Sequence, residues 1–276
     1  PDGSISPEKI RHRLRLEQRQ QDFMLLRNGD MVEGTLTKIR EGKIEVESQK
    51  KTSGLRWTQI SAITLSEELM ERTILPANYV RIVLKSSNND GGRFTLSEWT
   101  FTNGMIQGKT LFGSPFQAPL EQVAHLDIFS NGIVRLDKIQ AKQMSHESFL
   151  GESYTTQFGC NSLWRDAQIA RSYHDFCIGM HGQGKIEYKL DDNFRFFSTQ
   201  VGLDDRDGLG GQAEIRVIAD GKSLPLPRSG ILTSPQMPLD LHLDVKNCKA
   251  LILEVRWHKR GSIRSVVNWA KPILIK

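Results

Sequence analysis

The sequence has no uninterrupted apolar run approaching the ~20 residues that a membrane-spanning helix needs, and its opening residues lack the apolar segment of a signal peptide. Cysteine is scarce. Cys160, Cys177 and Cys248 are the three among 276 residues, and none stands in a CxxC spacing, which excludes a cysteine zinc cluster and a dithiol redox motif. Two of them, Cys160 with Cys177 first, could pair in an oxidising compartment; the competing expectation is that they are buried small apolar side chains. No GxSxG, HExxH, GxxxxGK[ST] or GxGxxG pattern occurs, so nucleophile-elbow, zinc-protease and nucleotide-binding chemistry have no fingerprint here. A strong charge excess is also missing. The 37 Lys and Arg stand against 32 Asp and Glu, giving +5 and a pI near 9.1, which fits solubility without requiring a polyanionic partner.

What is present is a pattern of short strands. With 38% apolar residues and a mean hydropathy of −0.40, the chain has the composition of a soluble globular protein, and its length predicts two or three units. Ser6-Pro7-Glu8 reads as a helix start, and residues 1–21 as an N-terminal helix or linker whose thin apolar stripe cannot hold a core. Residues 22–75 then give short apolar runs separated by Asn28-Gly29-Asp30 and Glu41-Gly42-Lys43, the spacing of a small antiparallel barrel, closed by a short helix from Ser66 to Leu75. Residues 76–130 repeat the unit. RFTLSEWTF stands where EGTLTKI stood, Asn103-Gly104-Met105-Ile106 answers Glu41-Gly42-Lys43-Ile44, and QVAHLDI answers QISAITL, a tandem duplication by pattern. Each copy is similar in strand order to Sm-like or SH3-like barrels. Trp57 and Trp99 are expected in the two cores.

The third unit, residues 131–276, is built around Gly179 to Gly221. Ile186, Tyr188 and Leu190 alternate with polar residues, Phe194 to Val201 forms a second apolar run and Ile215, Val217 and Ile218 a third, with turns at Asp191-Asp192-Asn193 and Asp220-Gly221. LDLHLDV and ALILEVRW alternate like the arms of a hairpin, and VVNWAKPILIK closes the chain as a strand. The blocks YHDFCIGMHGQGKIEYKL, FRFFSTQVGLDD, GGQAEIRVIADGK, LDLHLDVKNCKALILEV and VVNWAKPILI resemble, in order, the NPCBM domain. That resemblance covers roughly residues 132 to 276. It implies a galactose-binding-like (jelly-roll) β-sandwich that binds carbohydrate in secreted bacterial proteins.

The candidate site residues lie in the turns of this third unit. His181, between Gly179-Met180 and Gly182, is expected to present an accessible imidazole to a sugar hydroxyl, and the resemblance puts a histidine in the same turn; a turn histidine bonded to backbone is the structural counterpart. A sugar site pairs an aromatic face with directed polar groups. Trp164, beside a turn, and Trp257, followed by His258, Lys259 and Arg260, lie near loops and suit that role, with core packing as the competing reading; Trp269, inside an apolar strand, is expected in the core. Asp204, Asp205 and Asp207, crowded beside Gly208, Gly210 and Gly211, offer hard oxygen ligands for a structural calcium ion, or simply an ordinary tight turn. Glu187 and Asp204 have no spacing that singles them out as a glycosidase pair.

The sequence therefore predicts an all-β protein: a short N-terminal helix, two tandem small β-barrels and a galactose-binding-like sandwich. Its expected role is non-catalytic glycan binding in a secreted, periplasmic or envelope protein, without a required cofactor. A protein-interaction scaffold at the cell surface is the alternative. Nucleic-acid binding by the barrels comes third, disfavoured by Asp30, Glu33, Glu41, Glu45 and Glu47 in the first.

Overall fold

Runs rich in β-branched and aromatic residues, cut by Gly, Asn and Asp at the turns, favour extended backbone. The computed structural model describes residues 20–48, 51–66, 75–85, 92–148, 151, 153–190, 194–259 and 261–276, and among these every regular element is a strand or a short 3₁₀ turn. The two expected helices fall almost wholly outside the described residues, as do the turn at 191–193 and Arg260. Two compact units divide at residue 75.

In the first unit, β1 (Asp22–Leu26), β2 (Met31–Arg40), β3 (Lys43–Ser48), β4 (Lys51–Arg56) and β5 (Ile60–Thr64) form one bent sheet in the order β4-β3-β2-β1-β5. Met24, Ile44, Val46 and Ile60 fill its core. The bend falls on β2, where register slips between Leu36 and Lys38 and where Gly34 faces β3. A Cβ on Gly34 would lie 2.4 Å from the Glu47 carbonyl oxygen, so only glycine allows this approach. The Asp22 carboxylate accepts the N–H groups of Leu36 and Ser66, both at 2.7 Å, and so ties the far end of the sheet to β1. Trp57, expected in the core, is instead 53% exposed. It opens the 3₁₀ turn Trp57–Gln59 ahead of β5, and Ile44 and Val46 already occupy the interior.

The second unit begins with the same sheet again. β6 (Tyr79–Leu84), β7 (Arg93–Thr102), β8 (Met105–Thr110), β9 (Pro115–Pro119) and β10 (Val123–Phe129) take the order β10-β6-β7-β8-β9, the order of the first sheet strand for strand. Details recur. Glu41-Gly42 and Asn103-Gly104 both turn with positive φ, as tight hairpins demand, and the bulge of β2 returns in β7 between Leu96 and Glu98. Arg27 N–H donates to Gln59 O at 2.8 Å in the first copy, and Lys85 N–H to Gln122 O at 2.7 Å in the second.

The remaining strands are β11 (Ile133–Arg135), β12 (Ala141–His146), β13 (Gln157–Phe158), β14 (Ala167–Ile169), β15 (Ser172–His174), β16 (Cys177–His181), β17 (Gly184–Lys189), β18 (Phe196–Leu203), β19 (Gln212–Ala219), β20 (Lys222–Ser223), β21 (Ile231–Thr233), β22 (Leu239–Asp244), β23 (Ala250–Trp257) and β24 (Val266–Ile275). One sheet runs β13-β16-β24-β18-β22 with β11 also on β24; the other runs β12-β17-β23-β19-β20 with β21 also on β19; β14 and β15 form a separate hairpin. Alternate residues of facing strands, among them Ile186, Tyr188, Phe197, Val201, Ile215, Val217, Leu253 and Trp269, make one core. Trp269 is fully buried, as expected. β22 and β23 do not form the hairpin that their alternation predicts: β22 pairs with β18 and β23 with β17 and β19, so residues 245–249 cross from one sheet to the other. Alternation reports which face is buried and says nothing about the partner strand.

Cys160 and Cys177 are fully buried and not joined in a disulfide. Burial pushes the Cys177 thiol well above its ordinary pKa. The second small sheet meets the sandwich through Tyr79 stacked on Phe129 at 4.6 Å, Phe129 beside Phe176, and Arg135 lying 3.9 Å over the Phe176 ring while forking onto Asp137. Asp175 completes the joint by accepting from Arg81 at 2.6 Å and pairing with Arg93 at 3.2 Å.

Candidate functional site

Four connections gather at one end of the sandwich: β12 to β14, β16 to β17, β18 to β19 and β23 to β24. Their junctions are hydrogen bonds that the local sequence supplies. Gly182 N–H reaches Ser265 Oγ at 3.2 Å and Ser265 O at 3.1 Å; Asp204 N–H reaches Val266 O at 2.9 Å; Arg264 Nη1 donates to Leu209 O at 2.8 Å; Glu147 N–H donates to Gln183 O at 3.1 Å. Gly211 lets the acidic loop close on the 262–265 turn, since a Cβ there would stand 2.0 Å from Arg264 O.

The acidic loop is held by proton donors. Asp204, 1% exposed, accepts from Asn268 Nδ2 at 2.8 Å, Asn161 Nδ2 at 3.3 Å and the N–H groups of Asp207 (2.9 Å), Arg206 (3.1 Å) and Gln168 (3.2 Å). Asp205 accepts from the N–H groups of Arg171 at 2.6 Å and Ala170 at 3.2 Å. Asp207 accepts from Asn161 Nδ2 at 2.8 Å and Arg165 Nη1 at 2.9 Å. The three carboxylates expected as calcium ligands thus turn to amide and guanidinium N–H, which a cation would have to displace. Among the described residues no three His, Cys, Asp or Glu side chains converge as a metal site.

This network also positions Trp164. Asn161 Oδ1 accepts from Leu163 N–H at 2.9 Å and Arg165 N–H at 3.0 Å, forming a turn whose fourth residue, Trp164, takes φ +62 and remains half-buried. Arg165 and Asn161 anchor the turn to Asp207, so the indole rides on a fixed platform.

His181 departs from its expected place. It is the last residue of β16, paired with Val266, and is 7% exposed, where an accessible turn imidazole was expected. The hairpin turn begins one residue later, and the Tyr154 ring stacks on the imidazole at 4.1 Å and 20°. His146 adds an edge contact, 5.6 Å from Tyr154 and 5.9 Å from His181. Burial lowers the His146 pKa below its usual value, against the opposing pull of a Gly182 backbone hydrogen bond and of Glu147. On the other side of the same turn Gly182 lies against Trp257: an added Cβ would sit 2.6 Å from Cδ1 of that indole and 2.4 Å from Ser265 Oγ. Gln183 Oε1 accepts the Trp257 N–H backbone group at 3.3 Å. His258 follows, half-buried and bridged to Gly261.

The end of the sandwich therefore carries Trp164, Tyr154, His146, Trp257 and His258 over a buried frame of Asn161, Asp204 and Asn268. Residues 165–275 match the NPCBM/NEW2 domain. The NPCBM/NEW2 stretch contains the acidic loop, His181, Trp257 and His258 and stops one residue short of Trp164, leaving Tyr154 and His146 on the segment before it. No curated protein matches the sequence. Among solved structures, a CBM51 module from Clostridium perfringens GH95 in complex with methyl-galactose is 20% identical, with a TM-score of 0.44 over 51% of this chain and 99% of that one. CBM51-2, in complex with GlcNAc, and INT domains from Clostridium perfringens ZmpB are 14% identical, with a TM-score of 0.47 over 70% of this chain and 45% of that one. The tandem CBM51 modules of Sp3GH98, the family 98 glycoside hydrolase from Streptococcus pneumoniae SP3-BS71, are 10% identical, with a TM-score of 0.43 over 92% and 87%. Asn161 was legible as the start of the Asn161-Ser162 turn before Trp164, though not its bonds to the acidic loop; Tyr154, His146 and Asn268 were missed in the sequence, and of these only Asn268, an amide inside the apolar run VVNWA, carried a signal, because a buried amide demands a partner.

Proposed function

We propose that the sandwich end formed by Trp164, Tyr154, Trp257 and His258 binds glycan without catalysis, as a module of an extracellular or envelope protein. The observation that carries this reading is a ring cluster at the edge of the NPCBM/NEW2 stretch: Tyr154, from the segment before it, stacks on His181 at 4.1 Å, with Trp257 held against Gly182 across the same turn. Aromatic faces take the C–H patch of a pyranose, and His258 and Gln183 bring polar groups to the same rim for its hydroxyls. The acidic loop serves this site by fixing the platform of Trp164. Two aspects of its chemistry support a binding role over a hydrolytic one: the Asp204 and Asp207 carboxylates are engaged by fixed donors, and Glu187 pairs with Lys142 at 2.6 Å on β17, away from these loops. Among the described residues no helix is long and apolar enough to cross a membrane.

The test is a glycan-array screen of the full chain followed by titration calorimetry on the best sugar. Trp257→Ala and Trp164→Ala are each expected to weaken binding about tenfold or more, corresponding to loss of an aromatic contact worth about 1.5 kcal/mol. Both variants should keep the far-UV spectrum of the parent. Absence of binding across a broad array, or unchanged affinity in folded variants, would overturn the reading.

A further inference from the structure

A groove of about 580 Å³ opens where the second small sheet meets the sandwich, its hairpin wall backed by the acidic loop through the bonds of Ala170 and Arg171 N–H to Asp205. That volume lies within the ~300–1,000 Å³ typical of ligand sites. Its walls are β6 and the start of β7 on one side, and the β14–β15 hairpin with the middle of β24 on the other. Five cationic side chains line it: Arg81, Lys85, Arg93, Arg171 and Lys271. Against these five stand two carboxylates, Asp127 and Asp175, leaving an excess of three positive charges among the described residues.

The way those charges are held sets this groove apart from a solvated basic face. Lys271 occupies a bulge of β24, where register slips opposite Ser198 and Gln200, and takes φ +51, a conformation costly for a side-chain-bearing residue. Its N–H donates to Phe176 O at 2.8 Å, and its ammonium is turned out of the sheet onto Asp127 at 3.2 Å and onto the His125 ring. Burial raises the Asp175 pKa, but Arg81 and Arg93 outweigh it and hold the carboxyl below its usual range. Arg171 and Lys85 are exposed, and neither forms a side-chain ion pair among the described residues. His174 Nε2 is a buried ring nitrogen without a hydrogen-bond partner. Tyr173, 42% exposed, and the partly buried Phe94 add aromatic surface to the same groove.

We infer that this groove is a second binding site, separate from the loop end, for an acidic oligosaccharide whose carboxylate or sulfate is taken by Arg171 and Lys85 beside Lys271. Guanidinium and ammonium groups supply charge-assisted hydrogen bonds to the acid, and a planar guanidinium fits a carboxylate with two parallel bonds. Asp127, Asp175 and Gln200 offer acceptors for sugar hydroxyls, and Tyr173 offers a face for the ring. Those two carboxylates, standing in the floor, suit a ligand that alternates hydroxyls with single acids better than a continuous phosphate chain, which they would repel.

The experiment is titration calorimetry on the full chain with tetragalacturonate, its methyl-esterified form, potassium sulfate and an oligo-dT strand as probes. Tetragalacturonate is expected to bind, its ester to bind at least tenfold more weakly, and the Arg171→Ala/Lys85→Ala double variant to lose about tenfold or more in affinity for the acid. Trp257→Ala, which disables the loop end, should leave this affinity unchanged; failure of the loop-end reading is thus separable from failure of this one. Equal binding of acid and ester, binding of sulfate as tight as that of the oligosaccharide, preference for oligo-dT, no binding of any probe, or an unaffected double variant would each overturn the assignment.

Discussion

Replacing Asp204 by alanine removes the acceptor on which five N–H donors converge: the side-chain amides of Asn161 and Asn268 and the backbone of Gln168, Arg206 and Asp207. Each buried donor left without a partner costs about 1–3 kcal/mol, but the losses are not additive, because the loop relaxes and water reaches it beside the exposed Arg206, Leu209 and Gly210. A total of about 4 kcal/mol follows, most of it from the two amides, whose residues are both fully buried. For a unit of this size that is a fall of roughly 8–16 °C in melting temperature. Urea titration followed by tryptophan fluorescence reads the change, since Trp269 lies in the sandwich core. Asp204→Asn separates charge from shape: its amide keeps one acceptor oxygen but presents an NH₂ to the two asparagine donors, so it should recover less than half of the loss. Calcium provides the opposing outcome. If Asp204, Asp205 and Asp207 instead held a cation, millimolar calcium would raise the wild-type midpoint in proportion to ligand concentration and chelation would lower it. A calcium-dependent midpoint, or a loss under about 1 kcal/mol in Asp204→Ala, would refute the donor network as the organiser of this loop.

Gly182→Ala places a methyl 2.6 Å from Trp257 and 2.4 Å from Ser265 Oγ; overpacking of this kind costs about 1–3 kcal/mol, and displacement of the indole should weaken glycan binding, which calorimetry on the array-selected sugar would detect. His174 is held at a pKa of about 4 by burial first and then by the charges of Lys271 and His125. Its folded pKa lies below the unfolded value of 6.5, so the unfolded chain binds the extra proton and stability falls as pH drops from about 6.5 to about 4, by roughly 3 kcal/mol. Urea midpoints measured across that window should flatten in His174→Gln. The paired carboxylates Asp127 and Asp175, with lowered pKa values, lose their contribution only at more acidic pH, as it falls below the ordinary carboxylate value toward their folded values. Ellman titration of the folded chain should find Cys160 and Cys177 unreactive, with Cys248 alone partly accessible; fast labelling of all three would contradict the burial of the first two.

Alternation and turn chemistry made most of the strands legible in advance. Ile186, Tyr188, Ile215 and Val217 could occupy only the inner faces of strands, and Glu41-Gly42 and Asn103-Gly104 could only close tight hairpins, since both facts depend on neighbours in the chain. The duplication was readable for the same reason: turns and bulges recur at matching positions. Partner choice was not readable. β22 and β23 both alternate, yet they enter opposite sheets, because a half-buried strand satisfies its pattern against any neighbour of suitable register. The site divides along the same line. Trp164, Trp257 and His258 were visible as aromatic and polar residues beside turns, whereas the burial of His181 beneath Tyr154 joins positions 27 residues apart (181 − 154) through a ring contact that no local pattern encodes. Asp204 was legible as an oxygen acceptor, but its donors Asn161 and Asn268 stand 43 and 64 residues away, and only the fold brings them to it. Composition and periodicity settled which residues are strands and which faces are dry. Only the packing of two sheets decided which distant side chains share a hydrogen bond, a ring face or a groove, because those depend on distances in space that the order of residues does not contain.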